Sequence, residues 1–252
     1  MLQQCAMRDQ PVGVLIPVGR NVLQGELALP RNPRGVVIFA HGSGSSRHSS
    51  RNQYVARYLT RCGFATLLID LLTEDEQDDD ECSSHLRFDI ARLAVRLVAI
   101  VDWVSSEPEL ASLPVGLFGA STAGSAALVA AAEHPNQVAA VVSRGGRPDL
   151  AGAALSSVMA PTLLLVGGDD AALIALNREG MSRMHCRALL QVVPGASHQF
   201  EEPGPLEAVA TAAGLWFQRF LSETSEDRFF PNSAPRWAWD PAARVPLPAP
   251  RR

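Results

Sequence analysis

The sequence predicts an α/β fold: an eight-stranded, mostly parallel sheet with helices on both faces and no cap domain. Three observations lead to this. From Gly35 onward, short continuous apolar runs alternate with longer segments whose apolar residues recur every three or four positions. That is the pattern of buried parallel strands with covering helices. Several of the runs end abruptly in Gly, Ser, Asp or His, which collects polar side chains at one rim of the sheet. The 252 residues, 47% of them hydrophobic and 19% charged, suffice for one large two-sided core.

The elements follow in chain order. Val12–Val18 and Val22–Leu29 read as strands, and Gly19-Arg20-Asn21 between them as the turn of an opening hairpin. Gly35–Ala40 is a strand covered on both faces, and it runs into His41-Gly42-Ser43-Gly44-Ser45-Ser46. Val55, Tyr58 and Leu59 have helical spacing over Asn52–Arg61, Gly63 stops that helix, and Ala65–Ile69 is the next buried strand, ending at Asp70. Glu74–Glu81 holds seven acidic residues in eight and is expected as a solvated loop whose like charges keep it off the core. Leu86–Ser105 is a long amphipathic helix. The remainder alternates: strand Val115–Phe118 and helix Thr122–Glu133, then strand Val138–Val142 and a short helix near Leu150–Ser157. Strand Thr162–Val166 and helix Ala172–Met184 follow, then strand Ala188–Val193 and helix Leu206–Leu221. Residues 1–222 are expected as the folded domain. Residues 223–252, rich in proline and arginine, are expected as a poorly ordered tail.

Composition excludes several classes of function. A net charge of −4 provides no electrostatic footprint for nucleic acid or for an anionic membrane. No apolar run approaches the roughly 18 residues of a membrane span. Cys5, Cys62, Cys82 and Cys186 are scattered without metal-binding spacing, so no metal is expected. The N-terminus lacks a charged segment followed by an apolar one. Together these point to a cytoplasmic protein with no nucleic-acid or membrane partner, its oligomeric state left open.

Chemistry concentrates at three strand ends. Strand Val115–Phe118 leads through Gly119-Ala120-Ser121-Thr122-Ala123-Gly124 into a helix, the order required to lift a hydroxyl out of a tight strand–helix turn. Strand Thr162–Val166 ends in Gly167-Gly168-Asp169-Asp170, and strand Ala188–Val193 in Pro194-Gly195-Ala196-Ser197-His198. A serine hydroxyl is a weak nucleophile, so Ser121 requires a base to take its proton and later return it to the leaving group; His198 fits. An acid must fix the imidazole tautomer and stabilise the imidazolium. Asp170 is chosen over Asp169 from its place in the turn. The backbone N–H groups of Thr122 and of Ser43 are the expected oxyanion donors, worth about 3–4 kcal/mol each. His41 and His48 read as loop histidines bonded to nearby backbone. Arg47 and Arg144, with Arg147, are candidate contacts for a substrate carboxylate.

The His-Gly-Ser-Gly loop, the Gly-Ala-Ser-Thr elbow, the Gly-Gly-Asp-Asp turn and the Gly-Ala-Ser-His-Gln-Phe-Glu-Glu-Pro-Gly segment resemble the α/β-hydrolase superfamily, and within it the dienelactone hydrolase-like group. The resemblance runs from about Val12 to Ser222. It implies the α/β-hydrolase fold and cofactor-free serine hydrolase chemistry on a small ester, thioester or lactone. True dienelactone hydrolases use a cysteine nucleophile, whereas the elbow here carries Ser121. Ala123 stands where the pattern has its second glycine, with Gly124 one place later. Two alternatives are a catalytically silent binding protein on the same fold and an acyltransferase.

Overall fold

The computed structural model describes residues 8–41, 46–83, 85–202 and 204–221. Strands β1 (Arg8–Val18) and β2 (Asn21–Leu29) form the expected hairpin, turning at Gly19 with φ 61°. Beyond it the chain alternates. β3 (Val36–Ala40) leads to α1 (Ser50–Arg61), β4 (Ala65–Ile69) to α2 (Glu74–Ser83) and α3 (Ile90–Ser106), and β5 (Val115–Ala120) to α4 (Thr122–Glu133). β6 (Val138–Arg144) precedes a 3-10 segment at Pro148–Ser157, β7 (Thr162–Gly167) precedes α5 (Ala171–Ser182), and β8 (Ala188–Val193) precedes α6 (Pro205–Phe220). The sheet order is β1-β2-β4-β3-β5-β6-β7-β8; β2 lies antiparallel to β1 and β4, and every other pairing is parallel.

Alternating side chains of the central strands feed two cores. Ile38, Leu117, Val141 and Leu164 pack with Leu97, Val101, Ala127 and Leu128 of α3 and α4. On the opposite face Val37, Phe39, Phe118, Val142 and Leu165 pack with Val55 and Leu59 of α1 and with Val209, Ala213 and Phe217 of α6. Phe39 stacks on Phe118 with ring centroids 4.8 Å apart. At about 1.5–3 kcal/mol for each large side chain buried, these two layers dominate the stability of the sheet. They also hold the strand ends rigid where the polar residues emerge. No α-helix stands between β6 and β7, and among the described residues no helix is long and apolar enough to cross a membrane.

The acidic stretch departs from expectation. Glu74–Ser83 is a helix rather than a loop. Thr73 and Glu76 form a reciprocal capping box: Glu76 N–H donates to Thr73 Oγ1 at 3.3 Å, and Thr73 N–H donates to Glu76 Oε2 at 3.0 Å. Acidic residues in a first turn also complement the helix dipole. Two of the acids are held by arginines downstream, with Arg96 bridging both Glu76 oxygens at 2.5 and 2.7 Å and Arg87 pairing with the buried Asp80. The helix expected from Leu86 begins at Ile90, after a 3-10 turn, because the Asp89 side chain accepts from Arg92 N–H and sets the N-cap there. The short helix expected near Leu150–Ser157 is present as a 3-10 segment over Pro148–Ser157. The expected tail, residues 223–252, lies outside the described residues.

Hydrogen bonding from Arg96 holds the Glu76 carboxyl at about 2, well below its ordinary value. A carboxyl lowered on folding contributes stability that is full above its unfolded pKa and is lost as pH falls toward the folded one. Solvent reaches this side chain, so the contribution is on the order of 1–2 kcal/mol rather than the full shift. Urea unfolding should therefore show Glu76→Gln less stable than wild type at pH 7, with the gap closing between about pH 4.5 and pH 2. A gap independent of pH would contradict this.

Candidate active site

Ser121 occupies the turn between β5 and α4 at φ 53° and ψ −128°, a conformation that L-residues rarely adopt. Such a residue stores roughly 1–3 kcal/mol of strain and persists only where its surroundings fix it. Here they do. Ser121 N–H donates to Arg144 O of the neighbouring strand at 3.0 Å, and Gly124 N–H donates to Ser121 O at 3.0 Å. Gly119 lets the first turn of α4 close onto the strand, since a Cβ there would lie 2.6 Å from both Ala123 O and Gly124 Cα. Ala123 is fully buried in the α3–α4 core, and it is Gly124 that meets Ser143, whose Oγ would collide with a Cβ at that position. The displaced second glycine of the elbow thus has a packing reason.

The Ser121 side chain makes no capping bond to its own helix. Thr122 opens α4, so its N–H is one of the first-turn donors that a helix leaves without an internal partner. Ser43, the other expected oxyanion donor, lies outside the described residues.

His198 and Asp170 meet: Nδ1 sits 3.3 Å from Oδ2, with the imidazole about two-fifths exposed. Asp170 serves two partners at once, since its Oδ1 accepts from Leu173 N–H at 3.0 Å and N-caps α5. Asp169 is exposed, and its N–H donates to Ala196 O, tying the acid turn to the histidine loop. Gly167 permits that approach, because a Cβ there would run into the Ala196 and Ser197 carbonyls. The imidazole Cε1 and the Phe200 ring both lie against Gly145, which follows the strand residue that holds the Ser121 backbone. Ser121, Asp170 and His198 therefore emerge on one rim, with Asp170 and His198 in contact. Among the described residues no hydrogen bond joins Ser121 Oγ to the imidazole.

The sequence reading missed one constellation. Asp70, at the end of β4 and 2% exposed, faces both ends of the His41–Arg47 loop. His41 Nε2 lies 2.9 Å from Asp70 Oδ1, off the line of an ideal hydrogen bond. Arg47 N–H donates to Oδ1 at 2.8 Å and its guanidinium pairs with Oδ2. Burial alone would raise the Asp70 pKa, but the adjacent His41 imidazole and the hydrogen bonds from Arg47 outweigh it and hold the carboxyl low. His41 is thus paired to a side chain rather than to backbone. His48 likewise faces a carboxylate, Glu26, at 3.3 Å. Arg47, expected as a substrate contact, has its guanidinium bound to Asp70 and to Gln24 Oε1 at 2.7 Å. Arg147 pairs with Asp149 at 2.7 Å. Arg144 is different: it is 8% exposed, and Nη1 is buried without a hydrogen-bond partner. Among the described residues no group of three or more His, Cys, Asp or Glu is arranged to hold a metal ion.

Comparison with known proteins agrees with this architecture. Residues 23–225 match the sequence profile of the dienelactone hydrolase family. A crystal structure of dienelactone hydrolase from Anabaena variabilis is 55% identical with a TM-score of 0.83, covering 84% of this chain and 98% of that one. Two Mycobacterium tuberculosis proteins, each bearing a name that proposes a phosphoribosyl transferase, are 55% identical over 211 residues, 84% of this chain and 46% of theirs. The chain thus spans about half the length of the curated relatives it matches. Est1E from Butyrivibrio proteoclasticus, 16% identical with a TM-score of 0.70, covers 84% of this chain and 99% of that one, a likeness of fold alone.

Replacing Asp70 by Asn removes the charge from a buried site that holds the Arg47 guanidinium and faces His41. Breaking such a pair on one side typically costs about 3–5 kcal/mol. Asp70→Asn should lower the urea midpoint markedly with the slope of the transition unchanged; a midpoint equal to wild type would refute the anchoring role.

Proposed function

The chain belongs to the dienelactone hydrolase family, and on that premise we propose that it is a cofactor-independent serine hydrolase of small carboxylic esters, thioesters or lactones. The observation that carries the reading is the Asp170–His198 contact on the rim where Ser121 is held at positive φ. Asp170 engages Nδ1 and so leaves Nε2 to act on the nucleophile.

In the first half-reaction His198 Nε2 takes the Ser121 Oγ proton as Oγ attacks the carbonyl carbon. The carbonyl oxygen becomes an oxyanion that accepts from Thr122 N–H and from a second donor, for which Ser43 N–H is our candidate. The imidazolium returns its proton to the departing alkoxide or thiolate as the bond to the carbonyl carbon breaks, leaving an acyl-serine. Water then repeats the sequence with His198 as base: the acyl–oxygen bond breaks, Ser121 recovers its proton, and the carboxylic acid leaves. An exposed imidazole and a β6–β7 connection without an α-helix favour small acyl groups or ones that reach out into solvent.

The phosphoribosyl transferase name belongs to proteins about twice this long, and the nucleophile, base and acid collected here suit acyl rather than phosphoribosyl chemistry. Transfer of the acyl group to an acceptor other than water would use the same acyl-serine.

Ser121→Ala should abolish turnover of p-nitrophenyl acetate, by at least about 10³-fold, while circular dichroism and the melting temperature stay near wild type. Unchanged turnover in a folded variant would reject the assignment.

A further inference from the structure

Helix α1 carries two working faces. Val55 and Leu59 pack into the core with Phe39 and Phe217. Gln53, Ala56, Arg57, Thr60 and Arg61 recur at helical spacing as a second stripe, which looks across a hollow of about 700 Å3 onto the sheet. Ala28 of β2 with Thr66 and Leu68 of β4 form the floor, and Pro11 of β1 closes one side. In the antiparallel β2–β4 register Ala28 stands opposite Thr66 and Glu26 opposite Leu68, so these four side chains share the face turned to α1. The hollow exists because the residues that face each other across it, Ala28 and Ala56, are both small. Neither Ser121, Asp170 nor His198 lines it, and β3 separates its floor from β5.

Polar and apolar chemistry are divided along this hollow. On the floor the Thr60 hydroxyl donates to Ala56 O at 3.0 Å and so accepts from Thr66 Oγ1 at 3.1 Å. With those hydroxyls satisfied, the space between Ala28, Ala56, Leu68 and Pro11 suits an apolar body. Arg57 and Arg61 are exposed one turn apart, and among the described residues no ion pair involves either. Arg61 has the Tyr58 ring, 6.0 Å from its guanidinium carbon. Like charges four residues apart on a helix repel, and an anion seated between them relieves that repulsion through charge-assisted hydrogen bonds. Position along the sheet sets the polarity of a ligand. Thr60, between the two arginines in sequence, meets Thr66 at the Ala28 end of the floor. Glu26, which faces His48 at 3.3 Å, lies at the Leu68 end and repels an anion from there.

We propose that the hollow between α1 and the β2–β4 strands is a ligand site apart from the catalytic rim, and that it takes an amphipathic carboxylate. The carboxylate sits on Arg57 and Arg61, and the hydrocarbon chain runs over Ala28 toward Leu68. The assignment does not depend on the hydrolase reading.

Titration calorimetry of the full chain with octanoate tests both halves of the site. Octanoate should bind, whereas acetate, which has the charge alone, and octanol, which has the chain alone, should each bind at least about tenfold more weakly. A carboxylic acid is also the product of the proposed reaction, so His198→Ala protein serves as a control and should bind octanoate as wild type does. Arg57→Gln combined with Arg61→Gln, both at exposed positions, should weaken octanoate binding at least about tenfold and leave p-nitrophenyl acetate turnover unchanged. Ala28→Phe, which fills the hollow, should abolish binding; if that variant does not fold, the arginine pair decides. Absence of octanoate binding, octanol binding as tightly as octanoate, or binding unmoved by loss of both arginines would overturn the inference. Inactive wild type that still binds octanoate through the arginine pair would remove the hydrolase reading and leave this site standing.

Discussion

The close approach of α4 to the end of β5 is the constraint on which the site depends. A strand buried on both faces must reverse into a helix within one residue, and that residue, Ser121, is forced to φ 53°. Gly119 makes the approach sterically possible, and the hydrogen bond from Ser121 N–H to Arg144 O fixes the turn to the adjacent strand. The two apolar layers of the sheet supply the free energy that sustains this strain. What results is a hydroxyl displaced from the backbone and a helix N-terminus directly behind it.

Neighbouring strand ends use single carboxylates to organise whole loops. Asp170 both caps α5 and faces His198, so the acid is positioned by its own helix before any ligand arrives. Asp70 gathers His41 and Arg47, fixing the two ends of the loop that follows β3. In each case a carboxylate faces a partner from a different segment, which ties segments far apart in sequence to the same rim.

Much of this rim was legible in the sequence because a parallel sheet places every carboxyl strand end on one side. Ser121, Asp170 and His198 each lie within a few residues of the end of an apolar run, so their place on a shared rim could be read without coordinates. The Asp70 constellation was missed for lack of a local signal. His41 and Asp70 are 29 positions apart, and only the β3–β4 register, with Ala40 beside Ile69, makes them lateral neighbours. The signal was present nonetheless: two ionisable residues each directly follow a predominantly apolar strand. The acidic helix was misread because its charge was counted without its partners. Thr73, three residues before Glu76, marked the cap, and Arg87, Arg92 and Arg96 downstream supplied the compensating charge. The isolation of Arg144 was not legible, since pairing depends on what surrounds a side chain in space.

The central claim is that a strained serine at the β5–α4 turn is activated by the histidine beyond β8. A fluorophosphonate reacts only with a serine so activated, and peptide mapping by mass spectrometry locates the adduct. The account predicts one adduct per chain, on Ser121, formed at least about a hundredfold more slowly in His198→Ala protein. An adduct on another residue, or labelling of Ser121 at an undiminished rate without His198, would contradict it.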